Sequence, residues 1–419
     1  MIEFMQTLSQ AQDENADLDL LRSSIALESI TGNETPFASF LLTELEKFGL
    51  KTGFGDFLEG RKNVWGHLAG KEGRPHLMFV GHTDTVHVRG WENYWQSDPR
   101  ADPFAGVEFE EAIWGRGACD LKGGICAALA SLRLLQSIGC ELEGSITFAF
   151  VGDEESGETG TGVSAGIKAF VQQFETEKLP APDFAIYLEP TTLNIFTAQI
   201  GFFIADLTVK GKTAYFGKPE QGVDALKYTH ELLARIWSHE TELRSGFSHD
   251  LVGPSSLLVT SIEGGGFIAV PELCRFSLIR TLHPDEDMDE AIEKFEACIF
   301  SSEGISVQVD YPAGRDHPKG GSASEIPQDT EQVLLLQDCI RQTSLKKGEI
   351  KGAPFWSEKS FLVNDFGCPA VYCAPGDISV AHTFEERICK DEYLASIRSF
   401  ALFIAQYCGV KPLSNNSIQ

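Results

Sequence analysis

Short apolar runs alternate with helical patterns over the first half of the chain, and this alternation limits the folds open to it. The runs at 76–80, 145–151 and 183–188 are bounded by glycine, proline or charged residues, as buried strands are. Between the first two runs, apolar residues recur at helical spacing in Ile125, Ala128, Leu129, Leu132 and Leu135. Strands that alternate with helices predict an α/β fold with a mostly parallel sheet and helices on both faces.

The middle of the chain has a different order of elements. Strand, helix, strand, strand, helix and strand are predicted in turn at 201–209, 223–238, 256–263, 272–282, 288–300 and 305–311. This βαββαβ order is the split βαβ of ferredoxin-like domains. We therefore predict a discontinuous α/β domain of residues 1–197 and 314–419, interrupted by an inserted domain of residues 198–313.

Charge and cysteine content restrict the partners and the compartment. The 34 Lys and Arg against 61 Asp and Glu give a formal charge of −27, which argues against nucleic acid or an anionic membrane as a partner. The start of the chain has no basic region followed by an apolar stretch, so we expect no signal peptide. Ten cysteines without a C-x-x-C pair indicate reduced thiols in a chain of this size. The predicted location is the cytoplasm.

Candidate metal ligands and bases follow the predicted strands. The side chains in question are His82 and Asp84 after the first, Glu154 and Glu155 after the second, Glu189 after the third, Asp120 before a helix, and His382 after a later apolar run. Ligands of open α/β sheets bind beyond the carboxyl ends of the strands. We therefore expect these side chains to converge at one edge of the sheet.

Such a cluster of acids needs compensating positive charge. Carboxylates that converge without cations repel one another and take up protons. Two histidines with several carboxylates match the nitrogen and oxygen ligands that zinc and similar divalent ions prefer. Asp84 is two residues from His82, so its carboxylate is expected to accept the other ring N–H of His82. Each motif alone has a plainer interpretation, for instance an exposed acidic loop at 153–155.

Five segments together resemble the dinuclear zinc amidohydrolases that include aminoacylase, acetylornithine deacetylase and succinyl-diaminopimelate desuccinylase. These segments are 81–86 (GHTDTV), 115–124 (GRGACDLKGG), 151–156 (VGDEES), 188–190 (LEP) and 381–386 (AHTFEE). The resemblance implies a zinc-exopeptidase-like fold with an inserted ferredoxin-like lid domain, which often also forms a homodimer contact.

The resemblance also implies a role for each matched residue. Asp120 would bridge two divalent ions, with His82 and Glu189 on one ion and Glu155 and His382 on the other. Glu154 would be the general base that takes a proton from a metal-bridging water and later gives it to the leaving nitrogen. Zn²⁺ is the expected metal, with Mn²⁺ or Co²⁺ as alternatives.

Several positions depart from the family pattern. Tyr215 stands where most members have a histidine that stabilises the oxyanion, and Tyr can still donate a hydrogen bond there. Ile268 replaces a usual Asn, and Leu278 an Asp. Arg280 is kept, and resembles the arginine that grips a substrate carboxylate. We therefore assign Tyr215, Ile268 and Arg280 to substrate binding, with ordinary drift at these positions as the alternative.

The sequence predicts a metal-dependent hydrolase, an amidohydrolase or metallopeptidase that cleaves an amide-type C–N bond by N-deacylation or dipeptide-like cleavage. Its substrate would be a small molecule that carries a carboxylate. One alternative is hydrolytic deamination of an activated aromatic, amino acid-like substrate at the same site. A second alternative is a non-catalytic, metal-binding paralogue.

Overall fold

A computed structural model describes residues 2–156, 160–176 and 179–412 of the chain. The chain forms two units. The first contains Met1–Thr197, Ile326–Lys351 and Ser357–Gln419, and the second Ala198–Glu325 and Gly352–Trp356. The second unit extends past residue 313 to Glu325, because Gly320–Gly321 pairs with the strand that opens this unit. The assignment of a metal-binding role to one unit and a lid or dimerisation role to the other stays a prediction.

The described residues form helices and strands along the whole chain. The helices are α1 (Ile2–Ala11), α2 (Glu14–Ile25), α3 (Thr35–Lys47), α4 (Trp91–Trp95), α5 (Lys122–Ser137), α6 (Ala165–Thr176), α7 (Ala225–Ser245), α8 (Met288–Glu296), α9 (Glu331–Thr343) and α10 (Lys390–Tyr407). The strands are β1 (Lys51–Leu58), β2 (Arg61–Leu68), β3 (His76–His82), β4 (Val107–Phe109), β5 (Ala112–Trp114), β6 (Cys140–Leu142), β7 (Ser145–Val151), β8 (Phe184–Tyr187), β9 (Ile195–Gln199), β10 (Gly201–Lys210), β11 (Ser248–His249), β12 (Gly253–Pro254), β13 (Leu257–Gly264), β14 (Leu273–Leu282), β15 (Ser306–Asp310), β16 (Gly320–Gly321), β17 (Ser324–Glu325), β18 (Ile350–Ala353), β19 (Ala370–Tyr372), β20 (Arg387–Cys389) and β21 (Val410–Pro412). Among these helices, none is long and apolar enough to cross a membrane.

The large sheet of the first unit confirms the α/β prediction. Its strand order is β1-β2-β7-β3-β8-β19-β9. The four central strands β7, β3, β8 and β19 are parallel, and the flanking strands β1, β2 and β9 are antiparallel to their neighbours. Every residue of β3 and β8 is buried, as expected for parallel strands covered by helices. The apolar runs found in the sequence are therefore the centre of this sheet.

Aromatic packing fixes helix α10 against the strand that carries His82. Phe79 of β3 is fully buried and stacks on Phe148 of β7, with 5.6 Å between the ring centroids. Phe400 of α10 lies 5.4 Å from Phe79. Truncation of a buried phenylalanine to alanine costs roughly 3–5 kcal/mol. These rings therefore contribute strongly to the stability of the sheet around β3.

The second unit has the predicted βαββαβ order. Its antiparallel sheet has the strand order β13-β14-β10-β15, which is that of a ferredoxin-like domain. Residues of β14 are buried at every second position, and these side chains form a core with α7 and α8. The alternating burial therefore shows that the two helices cover one face of the sheet.

A buried histidine–threonine–histidine network crosses the first unit's sheet. His67 Nδ1 and His76 Nε2 lie 2.8 and 2.7 Å from Thr147 Oγ1. His76 Nδ1 lies 3.2 Å from the Ala181 carbonyl oxygen, so this nitrogen carries the proton and Nε2 accepts from the Thr147 hydroxyl. His67 Nδ1–H must then donate to Thr147 Oγ1. Each ring is thereby fixed as a neutral tautomer.

We expect this network to make the protein less stable in mild acid. Burial lowers the pKa of His67 to about 4, and the charges of His76 and Lys51 contribute to this shift. As the pH falls, His67 is therefore protonated at a lower pH in the folded state than in the unfolded state. The stabilisation is complete above the unfolded pKa of about 6.5 and is lost as the pH falls towards 4. Urea unfolding measures this effect at pH 7.5 and pH 5.0. Between these two pH values, the free energy of unfolding should fall by about 2 kcal/mol less in His67→Gln than in the wild type.

The control is His230→Gln, which changes an exposed histidine of α7 and should leave the acid-induced loss of stability unaltered. Equal losses in the wild type and His67→Gln would show that His67 binds protons alike in the folded and unfolded states.

Candidate metal centre

Three parallel strands of the first unit deliver candidate ligands to one edge of the sheet. His82 is the last residue of β3, Glu154 and Glu155 follow the end of β7, and Glu189 follows the end of β8. Asp120 lies two residues before α5. Because β3, β7 and β8 are adjacent and parallel, their carboxyl ends meet, as the sequence predicts.

Asp120 lies between the two predicted histidine ligands. Its Oδ1 is 3.1 Å from His82 Nε2, and its Oδ2 is 3.2 Å from His382 Nε2. Each carboxylate oxygen therefore faces a different imidazole. This is the arrangement that a carboxylate shared by two cations requires.

Two further carboxylates complete the two sides of Asp120. Glu189 Oε1 lies 3.8 Å from His82 Nε2, and Glu155 Oε1 lies 2.9 Å from His382 Nε2. Donor atoms within 4.8 Å of one another form the sets His82–Asp120–Glu189 and Asp120–Glu155–His382, and a third, overlapping set is His82–Glu154–Glu155. The structure thus brings all five predicted metal ligands together around Asp120.

The electrostatics of this cluster show an excess of buried acid. Burial and the Asp120 charge raise the pKa of Glu155 and of Glu189. Burial lowers the pKa of His82 and His382, but hydrogen bonds to Asp120 and nearby carboxylates raise both above the ordinary value. Carboxylates thus outnumber the cations of the protein here. Imidazole nitrogens and carboxylate oxygens with a net negative charge fit divalent cations.

Asp84 holds the turn that carries Glu154 and Glu155. Its Oδ1 accepts from the Glu154 N–H at 3.3 Å, and its Oδ2 accepts from the Glu155 N–H at 2.9 Å and the Thr31 hydroxyl at 3.0 Å. His82 Nδ1 lies 2.9 Å from the Asp84 main-chain oxygen but 3.8 Å from its carboxylate. The predicted carboxylate contact to His82 is therefore replaced by a main-chain contact, because the carboxylate is already occupied.

Glu154 and its neighbour Glu155 have different surroundings. Glu154 is half-buried, whereas Glu155 is buried and faces His382. Burial raises the pKa of Glu154, and the Asp84 and Asp120 charges raise it further. The two adjacent glutamates therefore diverge, and Glu154 keeps access to solvent beside the cluster.

Two supporting residues, Ser357 and Glu386, were given no role from the sequence. Ser357 donates its hydroxyl to Glu189 Oε1 at 2.7 Å. Glu386, ion-paired with Arg116 at 2.5 Å, accepts from the Asp120 main-chain N–H at 3.1 Å. Glu386 lies within the 381–386 motif, which could have pointed to it. Ser357 adjoins Glu358, a buried carboxylate that accepts from the Tyr187 hydroxyl at 2.9 Å.

Comparison with known proteins decides the family. The profile of peptidase family M20/M25/M40 matches residues 78–406, which include all five predicted ligands and Glu154. The chain belongs to this family. The predicted metal-dependent hydrolase of amide-type C–N bonds is thereby confirmed at the level of the family.

Individual relatives cover most of the chain. It is 27% identical to succinyl-diaminopimelate desuccinylase of Rickettsia typhi over 359 residues, 82% of this chain and 88% of the relative. A metallo-carboxypeptidase of this family from Sulfolobus solfataricus superposes with a TM-score of 0.74 at 17% identity, over 93% of this chain and 99% of that one. A dinuclear metal-binding peptidase of the family from Bacillus subtilis gives 0.66 at 12% identity, over 94% and 98%.

The predicted substrate-binding residues lie in the second unit. Tyr215 and Ile268 are 64% and 58% exposed and are close together, because Tyr215 pairs with Ala269 in an isolated β-bridge. Arg280, by contrast, is fully buried on the core face of β14 and pairs with Glu286 at 2.5 Å. The predicted grip of Arg280 on a substrate carboxylate would therefore require the guanidinium to leave Glu286.

The loop that carries His382 is clasped by aromatic residues of α4. His382 has a φ of +60° and a side chain that is 53% exposed, so its backbone needs support. Trp95 Nε1 donates to the Phe384 carbonyl at 2.6 Å, and the Phe384 ring lies 5.3 Å from that of Tyr94 and 6.2 Å from that of Trp91. The clasp therefore fixes the backbone two residues beyond this ligand.

We expect Trp95→Phe to weaken the binding of one cation more than that of the other. Phe keeps much of the ring packing but cannot donate to Phe384, so the His382 loop becomes less well positioned. Loss of such an outer contact costs roughly 10-fold in metal affinity. Titration against a competing chelator should show this loss for one of two bound equivalents.

Trp237→Phe is the control, since Trp237 is an exposed residue of α7 in the second unit. The clasp has no role in metal binding if both variants hold both equivalents as tightly as the wild type.

Proposed function

We propose that the protein hydrolyses the amide C–N bond of a small carboxylate-bearing substrate, by N-deacylation or dipeptide-like cleavage. The observation that carries this proposal is the position of Asp120, each of whose oxygens faces one of two histidines. Glu154 lies beside these residues, and it belongs to neither of the two three-residue sets that contain Asp120. Family membership supports the class of reaction, and this geometry supports the choice of residues.

The residues fit a pair of divalent cations. His82, Asp120 and Glu189 would hold one, and Asp120, Glu155 and His382 the other. When bound, such a pair polarises a carbonyl and lowers the pKa of a water molecule. Zn²⁺ is the proposed metal because imidazole and carboxylate ligands suit it. The name of the B. subtilis relative, a dinuclear metal-binding peptidase, supports two ions.

Glu154 would move the proton in this reaction. Its main-chain N–H is held by Asp84, and its side chain keeps access to solvent. It would take a proton from the attacking water and deliver it to the leaving nitrogen, as one well-placed carboxylate can in both steps. Asp84 is then a positioning residue, because its contacts go to the main chain of the 154–155 turn and to His82 through its own main-chain oxygen.

The second unit would supply substrate contacts. Tyr215 is proposed to donate a hydrogen bond to the developing oxyanion, with Ile268 as an apolar neighbour. Phe216 and Phe267 are 57% and 93% exposed beside them. This group of exposed apolar side chains favours substrates with an aromatic or apolar part. For that reason deamination of an activated aromatic amino acid-like substrate is retained as a second candidate.

We further propose a cytoplasmic homodimer that forms through the second unit. All ten cysteines are free thiols, as in a reducing compartment. Strand β13 is at the edge of its sheet, where Leu258 and Ile262 are 62% and 54% exposed. An exposed apolar edge strand is suited to pairing with a second chain.

A substrate panel tests the proposed function. Protein loaded with Zn²⁺, Mn²⁺ or Co²⁺ is incubated with N-acyl amino acids, dipeptides and amino-substituted aromatic acids, and released amine, acid or ammonia is measured. Turnover of an N-acyl amino acid or dipeptide supports the proposal. Ammonia release from the aromatic acids alone favours the second candidate, and metal binding without any turnover favours the non-catalytic paralogue.

A further inference from the structure

A cavity of about 620 Å³ lies in the first unit and is lined by residues outside the metal cluster. Pockets for small molecules span roughly 300–1,000 Å³. The lining comes from the start of α2, Leu193 between β8 and β9, the end of α9 with the segment after it, and Cys389 with the first half of α10. The cavity is therefore built on elements of one unit and is large enough for a metabolite.

The floor of this cavity is apolar. Leu193, Leu394 and Ala395 line it and keep only 0%, 6% and 7% of their surface exposed. A hydrocarbon chain placed on them would leave water, at roughly 25 cal/mol per Å² of apolar surface. The floor thus favours a ligand with an aliphatic part.

A half-buried arginine reaches the same cavity. Arg398 Nη1 donates to Gln12 Oε1, a neutral acceptor. Within the described part of the chain, its guanidinium forms no ion pair with a carboxylate, although Glu14, Asp17 and Asp391 are close enough to act on it electrostatically. A guanidinium in this state offers free, fixed donors to an anionic group.

Two carboxylates complete the charge pattern. Glu14 and Asp391 are exposed, line the cavity and form no ion pair among the residues described. Lys346 and Glu392, which also line it, neutralise each other through a contact of 2.6 Å. The cavity therefore presents one unpaired cation and two unpaired anions above an apolar floor.

We propose that this cavity binds a zwitterionic α-amino acid with an aliphatic side chain. The ligand carboxylate contacts Arg398, the ammonium group lies between Glu14 and Asp391, and the side chain packs on Leu193, Leu394 and Ala395. The site is separate from the proposed catalytic reaction and does not depend on it.

Calorimetric titration of the metal-loaded protein with L-leucine tests this site. We expect a Kd of about 0.1–1 mM. Two analogues each lack one charge: 4-methylpentanoate has no ammonium group and 3-methylbutylamine no carboxylate. Each should bind at least roughly 10-fold more weakly, since a hydrogen-bonded charged contact is lost. Glycine, which lacks the aliphatic part, should also bind more weakly than leucine.

Variants locate the binding. Arg398→Gln and Glu14→Gln should each weaken leucine binding by roughly 10-fold, and Glu14 is exposed, so its substitution leaves the core intact. Arg244→Gln, in α7 of the second unit, is the control and should have no effect. His382→Ala should also leave leucine binding unchanged.

Two results overturn the proposal. One is the absence of binding up to about 50 mM leucine. The other is binding that His382→Ala abolishes and Arg398→Gln leaves unaltered, which would place leucine at the metal centre. A hydrolase that does not bind leucine in this cavity would still show turnover in the substrate panel, so the two proposals fail separately.

Discussion

We expect Glu154→Gln to lower kcat by roughly 10²–10⁴-fold without loss of bound metal. A positioned general base contributes this much to a hydrolytic step, and glutamine has the shape of glutamate but cannot take up the proton. The donor sets around Asp120 do not include Glu154, so metal content should stay near two ions per chain. KM should change little, because the substitution acts on proton transfer and not on substrate contacts.

The measurement combines steady-state kinetics on the best substrate of the panel with elemental analysis of the same samples. Glu231→Gln, which neutralises an exposed carboxylate of α7, should keep wild-type kcat and metal content. Wild-type turnover in Glu154→Gln would remove Glu154 from the role of base, and loss of metal would make it a ligand.

We expect Asp120→Ala to remove both cations. Asp120 belongs to both three-residue sets and contributes one oxygen to each. Its loss leaves each side with one histidine and one glutamate, so metal content should fall from about two ions per chain to below about 0.5. His382→Ala affects one set alone and should leave about one ion.

Fold integrity can be monitored independently in these variants. The Asp120 main-chain N–H still donates to Glu386 after the substitution, so the loop keeps this anchor, and Asp120→Asn retains the side-chain shape. Circular dichroism and thermal unfolding check that each variant is folded. Two ions in a folded Asp120→Ala protein would contradict the shared-carboxylate arrangement.

The centre of the site was predictable from local sequence signals. Fully buried parallel strands such as β3 and β8 leave continuous apolar runs, and the residue that follows such a run lies at a known edge of the sheet. His82, Glu155 and Glu189 could therefore be placed together before the structure was known. The βαββαβ order of the second unit was predictable for the same reason, since each element has its own periodicity.

Long-range pairing was not predictable. Strand β1 is half-exposed along most of its length and contains Gly53 and Gly55, so it lacks both a continuous and an alternating apolar pattern. Asp153, with a φ of +71°, pairs with Arg61 at 2.8 Å, but these residues are far apart in the chain and nothing in the 151–156 segment indicates Arg61 as the partner. The partner of Arg280, Glu286, is nearby in sequence, yet the choice of Glu286 depends on side-chain direction within the folded core.

The main-chain contact of His82 shows the same limit at close range. The two-residue spacing to Asp84 correctly indicated that the two residues interact. Whether the carboxylate or the main-chain oxygen accepts depends on what else binds the carboxylate, and here the N–H groups of Glu154 and Glu155 do. The segment after β7, which is distant in sequence, therefore determined which oxygen of Asp84 contacts His82.

Anomalous diffraction from crystals grown with zinc tests the central claim most directly. Data collected on both sides of the zinc absorption edge should give two peaks about 3.5–4 Å apart. An Asp120 oxygen should face each peak, with His82 and Glu189 at one and Glu155 and His382 at the other. A single peak, or zinc bound away from Asp120, would contradict the account.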